Sequence, residues 1–165
     1  ETRQDCFYIM DNVVFPSTNQ TVGLIADAVN DVSTIDSSYV ATYYPWIKIL
    51  DTNLNKIISV PPSVVMPSVY AANDNAAAEW FAPAGLNRGG IAQAVQVLDR
   101  TTHSERDTLY EGRVNPIAAF PGQGICVWGQ KTLQIQPSAL DRVNVRRLLI
   151  ALKKFIASSS KFSTK

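Results

Sequence analysis

The spacing of hydrophobic residues changes twice within the first sixty positions, and this succession constrains the fold more than any other feature of the chain. Residues 5–11 (DCFYIMD) form a short apolar run bounded by acids, the pattern of a buried strand. Phe15-Pro16-Ser17 breaks the run. Val22, Ile25, Ala26 and Val29 then recur at helical spacing, which predicts a helix over 21–32. Residues 43–50 and 56–60 are rich in β-branched and aromatic side chains, with Asp51-Thr52-Asn53 as the turn between them. Strand, helix and strand in succession predict a βαβ unit and an α/β fold, a mixed sheet covered by helices.

Further along, Pro61-Pro62-Ser63 opens a second helix reaching about Asn75, since proline is tolerated in a first turn. Pro67 is awkward inside it: either the helix kinks there or it begins there. Residues 81–90 (FAPAGLNRGG) are loop material. Thr102 with Glu105 three positions later fits a capping box and opens a short helix to about Glu111. Residues 124–129 (GICVWG) read as a compact strand, and 139–157 as a long helix. No internal repeat is present, and the only low-complexity tract is the serines at 158–160.

At 165 residues, with 46% hydrophobic and 18% charged side chains, the chain holds one ordinary core or one domain and part of a second. It begins with Glu1 and ends in a polar run, and is read as a fragment cut at both ends. No window approaches the roughly 18 consecutive apolar residues of a membrane span. Cys6 and Cys126 both lie in apolar, strand-like runs and are expected to be buried free thiols. Asn19-Gln20-Thr21 matches a glycosylation sequon, a match that arises often by chance. The net charge of +1 conceals an asymmetry. Seven of the fifteen Lys and Arg lie from Arg142 onward, with no acid among them; the residues before it carry all fourteen acids and a net charge of −6. A dipolar subunit of this kind suits head-to-tail association or docking on an acidic partner.

Catalytic constellations are absent from the pattern. His103 is the only histidine, so any serine or cysteine triad would have to use it, yet it sits in the exposed first turn of a capped helix. Cys126 has the apolar neighbours Ile125, Val127 and Trp128, which argues for a raised pKa and an inert thiol. One histidine and two distant cysteines make a poor zinc site. Gly122-Gln123-Gly124 lacks the following Gly-Lys-Ser/Thr of a phosphate loop and reads as a turn before a strand. Asp27 and Asp31, one helical turn apart, read as a solvated face. No catalytic, cofactor-binding or metal-binding residue is assigned.

The last helix carries the most information. Stepping about 100° per residue gathers Val145, Leu148, Leu149, Leu152, Phe155 and Ile156 on one face, which is expected to be core. Arg142, Arg146 and Lys153 fall along its flank. Val143, Arg147, Ile150 and Lys154 form a ridge expected to point outward, where apolar residues mark a candidate contact surface. The alternative is that Val143 and Ile150 pack under another segment while the charges face water. As a functional surface the basic helix could bind nucleic-acid phosphates, although no aromatic interleaves with its charges; it could lie on a membrane, although it has no Trp anchor; or it could dock on an acidic protein surface.

Three stretches, in this order, resemble the carboxy-terminal half of the contractile phage tail sheath proteins, especially those of large T-even-type phages: 59–75 (SVPPSVVMPSVYAANDN) with 80–85 (WFAPAG), 112–133 (GRVNPIAAFPGQGICVWGQKTL), and 143–156 (VNVRRLLIALKKFI). The resemblance covers roughly 59–157. It implies a non-enzymatic structural subunit of the virion, assembled in the host cytoplasm, that polymerises helically around the tail tube and contracts to drive the tube through the host envelope for genome ejection. It implies, as partners, other copies of itself, the tail tube protein, and baseplate and tail terminator proteins. It also implies a division: 1–107 as the end of a middle domain, subtilisin-like in topology but without protease chemistry, and 108–165 as part of a smaller α+β carboxy-terminal domain next to the tube. Family sheaths are linked by terminal arms that add strands to neighbours' sheets, and a chain ending at Lys165 is expected to lack the carboxy-terminal arm. On this resemblance Arg142, Arg146, Arg147, Lys153 and Lys154 are the candidates to face the tube. A nucleic-acid-binding module using the same helix is the competing reading.

Overall fold

The computed structural model describes residues 4–12 and 21–162. The expected break at Phe15-Pro16-Ser17, Asn19 and Gln20 of the sequon, and the side chains of residues 21–24 lie outside the described residues. The elements are β1 (Tyr8–Asp11), α1 (Thr21–Val32), β2 (Val40–Tyr44), β3 (Ile47–Asp51), β4 (Lys56–Val60), α2 (Pro62–Ala76), β5 (Ala94–Val97), α3 (His103–Glu111), β6 (Val114–Phe120), β7 (Gly124–Val127) and α4 (Val143–Ser159). Short 3-10 turns at Ala139–Asp141 and Ser160–Phe162 flank α4.

Four strands form a mixed sheet in the order β1-β2-β6-β7, the first two pairings parallel and the last antiparallel. β1, α1 and β2 make the expected parallel βαβ unit. A second, antiparallel sheet has the order β4-β3-β5. The single strand expected over 43–50 is two strands in two sheets. Pro45, joined to Tyr44 by a cis peptide, has no N–H to continue the β2 ladder, and the chain restarts as β3 at Ile47. Asp51 holds the following turn by accepting the N–H groups of Asn53 (2.9 Å) and Leu54 (3.2 Å).

Alternation along β2 sends side chains to two cores. Ala41 and Tyr43 pack with α2, β3, β4 and Ile117 of β6; Tyr44 and Val40 pack with α1, Leu109 of α3 and Val114. Among the described side chains of α1 the buried ones are Ile25, Ala28 and Val32, while Ala26, expected inward, is exposed. α2 starts at Pro62 and runs through Pro67, which is exposed, so the missing helical bond at that position falls on the solvent side. Asp11 of β1 receives the Ser63 N–H (2.9 Å) and hydroxyl at the start of α2, a carboxylate at a helix N-terminus. α3 carries the expected capping box between Thr102 and Glu105.

β5 and β6 had no counterpart among the expected strands. Pro116 inside β6 argues against a strand on sequence grounds. In the fold it stands opposite Tyr44, the last β2 residue of that ladder, and beyond it β6 pairs with β7 alone, so its absent N–H falls where β2 has ended. The expected division at 107/108 falls inside α3, and β6 beyond it belongs to the same sheet as β1 and β2.

Candidate functional site

The segment that places α4 is built around Asn115, which is fully buried in β6. Its amide N–H groups donate to the carbonyls of Thr42 (3.0 Å) and Lys131 (2.8 Å), and its Oδ1 accepts the Lys131 N–H (2.6 Å), tying residue 131 to the sheet. Gly129 closes on the same place: a Cβ there would stand 2.9 Å from Asn115 Oδ1 and 3.0 Å from the Tyr110 ring. Arg113, at φ 65°, donates to the carbonyls of Ser33 (3.0 Å), Ile35 (2.8 Å) and Leu133. Lys131 Nζ donates to the Tyr110 carbonyl (2.9 Å) and lies 4.1 Å from that ring's centre; burial, then the neighbouring Arg142, lowers its pKa. The Asn-Pro-Ile and Gly-Ile-Cys-Val-Trp-Gly stretches thus meet at one structural joint.

Residues 130–132 then run beside 141–143. Thr132 N–H donates to the Asp141 carbonyl (2.8 Å) and Val143 N–H to the Gln130 carbonyl (2.9 Å). This pairing holds Arg142 extended, so the helix expected from Ala139 is a 3-10 turn, a break at Arg142 and α4 proper from Val143.

α4 is turned opposite to expectation. Val143 (0% exposed), Arg146 (5%) and Ile150 (8%) are the buried residues. Leu152 (44%), Phe155 (68%) and Ile156 (62%), expected in the core, are exposed. Of the face read as core, Val145, Leu148 and Leu149 are half-buried and the distal Leu152, Phe155 and Ile156 are exposed, while most of the ridge read as a contact surface packs inward. The cause is the polar lining that the body offers. Arg147 makes two bonds to the Asp74 carboxylate, Nη1 to Oδ1 at 3.1 Å and Nη2 to Oδ2 at 2.5 Å, and its guanidinium lies 4.5 Å from the Tyr70 ring centre. Arg146 donates to Ser38 Oγ and sits 4.0 Å over the Tyr39 ring, its Nε without a partner. Arg142 donates to the Tyr110 hydroxyl and lies 3.2 Å from the Asp141 carboxylate. Asn144 donates to the Trp80 carbonyl (2.8 Å). Long arginine stems fill apolar space while their heads find partners, whereas beyond Ala151 every α4 residue is exposed.

Of the seven candidate contact residues, Val143, Arg146 and Ile150 are therefore buried, Arg147 is ion-paired, Arg142 is engaged and partly exposed, and Lys153 and Lys154 are exposed on the distal half. Lys153 and Lys154, with Lys161 beyond the helix, are exposed, and nothing in their arrangement favours the nucleic-acid reading. Sequence reasoning missed the apolar distal face as a surface, although its residues were gathered correctly. No local signal could have found it, because an uninterrupted apolar stripe opposite two arginines reads as a core face.

Groups capable of chemistry are dispersed. His103 is exposed and stands 2.9 Å from Asp107 on the next turn. Cys126 is buried and burial pushes its thiol pKa up, with Arg106 opposing. Cys6 is exposed, contrary to expectation, because it precedes an edge strand. Gly122 and Gly124, both at positive φ, make the β6–β7 turn. Among the described residues no three His, Cys, Asp or Glu side chains could share a metal ion, and no helix is long and apolar enough to cross a membrane.

The described residues thus form a two-core α/β scaffold whose polar residues hold segments together and whose last helix leaves Leu152, Phe155 and Ile156 exposed. The phage tail sheath protein central domain matches residues 1–133, and the chain belongs to that family. It is 39% identical over 103 residues to the tail sheath protein of Enterobacteria phage T4, covering 62% of this chain and 16% of that protein. Among solved structures, the sheath complex of an extracellular contractile injection system in its contracted state is similar with TM-score 0.75 and 29% identity, over 90% of this chain and 40% of that one. The contracted helical sheath of the anti-feeding prophage is similar with TM-score 0.71 and 26% identity, over 94% and 38%. The chain spans about a sixth of the T4 relative's length.

Proposed function

We propose that the protein is a structural subunit of a contractile phage tail sheath, polymerising helically around the tail tube and contracting to drive it through the host envelope. The observation that carries this reading is the family membership, together with the likeness to two sheaths solved in the contracted state. Contraction of this kind requires surfaces that re-pair, with no bond made or broken, and heterologous interfaces that do not close generate helical filaments. The charge asymmetry and the outward apolar face of α4 both suit such contacts. In this reading the subunit is a virion component assembled in the host cytoplasm, with other copies of itself, the tail tube, the baseplate and the tail terminator as partners.

Within it, α4 belongs to the tube-proximal part of the subunit. Lys153, Lys154 and the exposed part of Arg142 are the cations available to an acidic partner, whereas Val143, Arg146, Arg147 and Ile150 act from behind by holding the helix. The test is electron microscopy of the intact sheath polypeptide, expressed alone and with tube protein. Tubular polymers are expected, and Lys153→Glu with Lys154→Glu is expected to weaken assembly on the tube while leaving the melting temperature unchanged. An intact polypeptide that stays dispersed under every assembly condition contradicts the reading.

A further inference from the structure

The two halves of α4 have different surroundings. The proximal half buries two apolar residues, Val143 and Ile150, over about two turns, and apolar contact by itself is non-directional. The distal half touches little else among the described residues. From Arg147 to Ser159 the helix extends roughly 18 Å, so a tilt of about 15° at its base displaces its end by about 5 Å. Whatever sets the tilt therefore sets where the distal apolar face lies relative to the body.

Consecutive arginines point about 100° apart on a helix, and here they grip two different parts of the body. Arg147 reaches α2, where the Asp74 carboxylate takes both prongs of its fork and Tyr70 lies under the guanidinium. The Tyr70 hydroxyl is hydrogen-bonded to that of Tyr43 at 2.5 Å, so this grip is keyed to the centre of β2. Asn73, beside Asp74, donates to the Phe81 carbonyl (3.1 Å) and fixes the end of α2. Arg146 reaches the other way, to Ser38 and Tyr39 at the entrance to β2. Attachment at two points around the axis opposes rotation of the helix as well as tilt. A bidentate, stacked guanidinium has a fixed geometry that a lysine ammonium lacks, and a partly buried pair, here 15% and 26% exposed, adds only modest net stability. The work of this pair is orientation.

We propose that Arg147, clamped between Asp74 and Tyr70, together with Arg146 on Tyr39, positions α4, fixing the direction in which its distal half leaves the body. The docking follows from the contacts themselves; its use in presenting an assembly surface rests on the sheath reading above.

Amide hydrogen exchange on the 165-residue chain tests the docking. Arg147→Lys keeps the charge and Arg147→Leu keeps apolar bulk. Both are expected to speed exchange across 144–159 by about tenfold or more while α1 and β2 keep wild-type protection. The reversed pair Asp74→Arg/Arg147→Asp is expected to recover part of the loss. Wild-type protection of α4 in the Leu variant overturns the proposal, as does an equal rise of exchange throughout the chain. In the intact sheath polypeptide, Arg147→Leu is expected to yield soluble protein that forms no regular tubes, and tubes of unchanged helical geometry also overturn it. If the unaltered polypeptide forms no tubes, the sheath reading falls, and the exchange result still decides the clamp.

Discussion

The sheet body and the distal half of α4 contain similar side chains put to opposite use. In the body, Leu109, Ile117, Met66 and Val69 are buried on one or other side of the sheet. In distal α4, Leu152, Phe155 and Ile156 are as apolar and stand in solvent. The difference lies in what surrounds each element, and it teaches that amphipathic periodicity finds a face without saying which way the face points. A helix turns its apolar stripe inward only if the neighbouring surface is apolar. Here the neighbouring surface offers Asp74, Tyr70, Tyr39 and Ser38, and the arginine face matches it better.

Truncation breaks or sharpens this contrast most strongly. Leu109→Ala and Ile117→Ala are each expected to cost about 2–5 kcal/mol in urea unfolding of the chain. Leu152→Ala and Phe155→Ala are expected to stay within about 0.5 kcal/mol. A distal loss as large as the body loss would show that the face is packed.

Alkaline unfolding probes the body through its buried tyrosines. Burial raises the pKa of Tyr43 and Tyr70 well above 10, the Tyr43–Tyr70 pair adding to the Tyr43 shift. The sign is set by the unfolded chain, which releases these protons above about pH 10 while the native state retains them. Stability should therefore fall as pH rises through that region, by about 1.4 kcal/mol per tyrosine for each pH unit. Tyr44, raised by burial and then by Asp99, adds to the fall. Lys131, lowered by burial, opposes it with a single proton. Urea midpoints that stay flat from pH 9.5 to 11 would contradict the buried pair.

Gly129→Ala tests the joint between body and helix. Its Cβ would crowd Asn115 and Tyr110, so a loss of about 1–3 kcal/mol is expected by thermal melting. The smallest energetic effect belongs to the thiols. Cys6 should react with a disulfide reagent in the native chain and Cys126 only after unfolding, giving one titratable thiol and then two.

Much of the body was legible. The βαβ unit, the capping box at Thr102 and the helix opening at Pro62 follow from local rules that the tertiary structure leaves intact. The splitting of 43–50 was signalled by Pro45 and obscured by the β-rich residues around it. β6 was hidden by Pro116, whose tolerance depends on β2 ending beside it, a non-local fact. The orientation of α4 was hidden for a similar reason. Nothing within 143–156 reveals that an aspartate some seventy residues earlier stands opposite Arg147.

On the proposed sheath reading, distal α4 serves association and contributes little to the stability of the body. Phe155→Ser with Ile156→Ser tests it most directly, by comparing the melting temperature of the 165-residue chain with tube formation by the intact sheath polypeptide. An unchanged melting temperature and the loss of tubes are predicted. Normal tubes, or a melting temperature depressed as far as by Leu109→Ala, would contradict it.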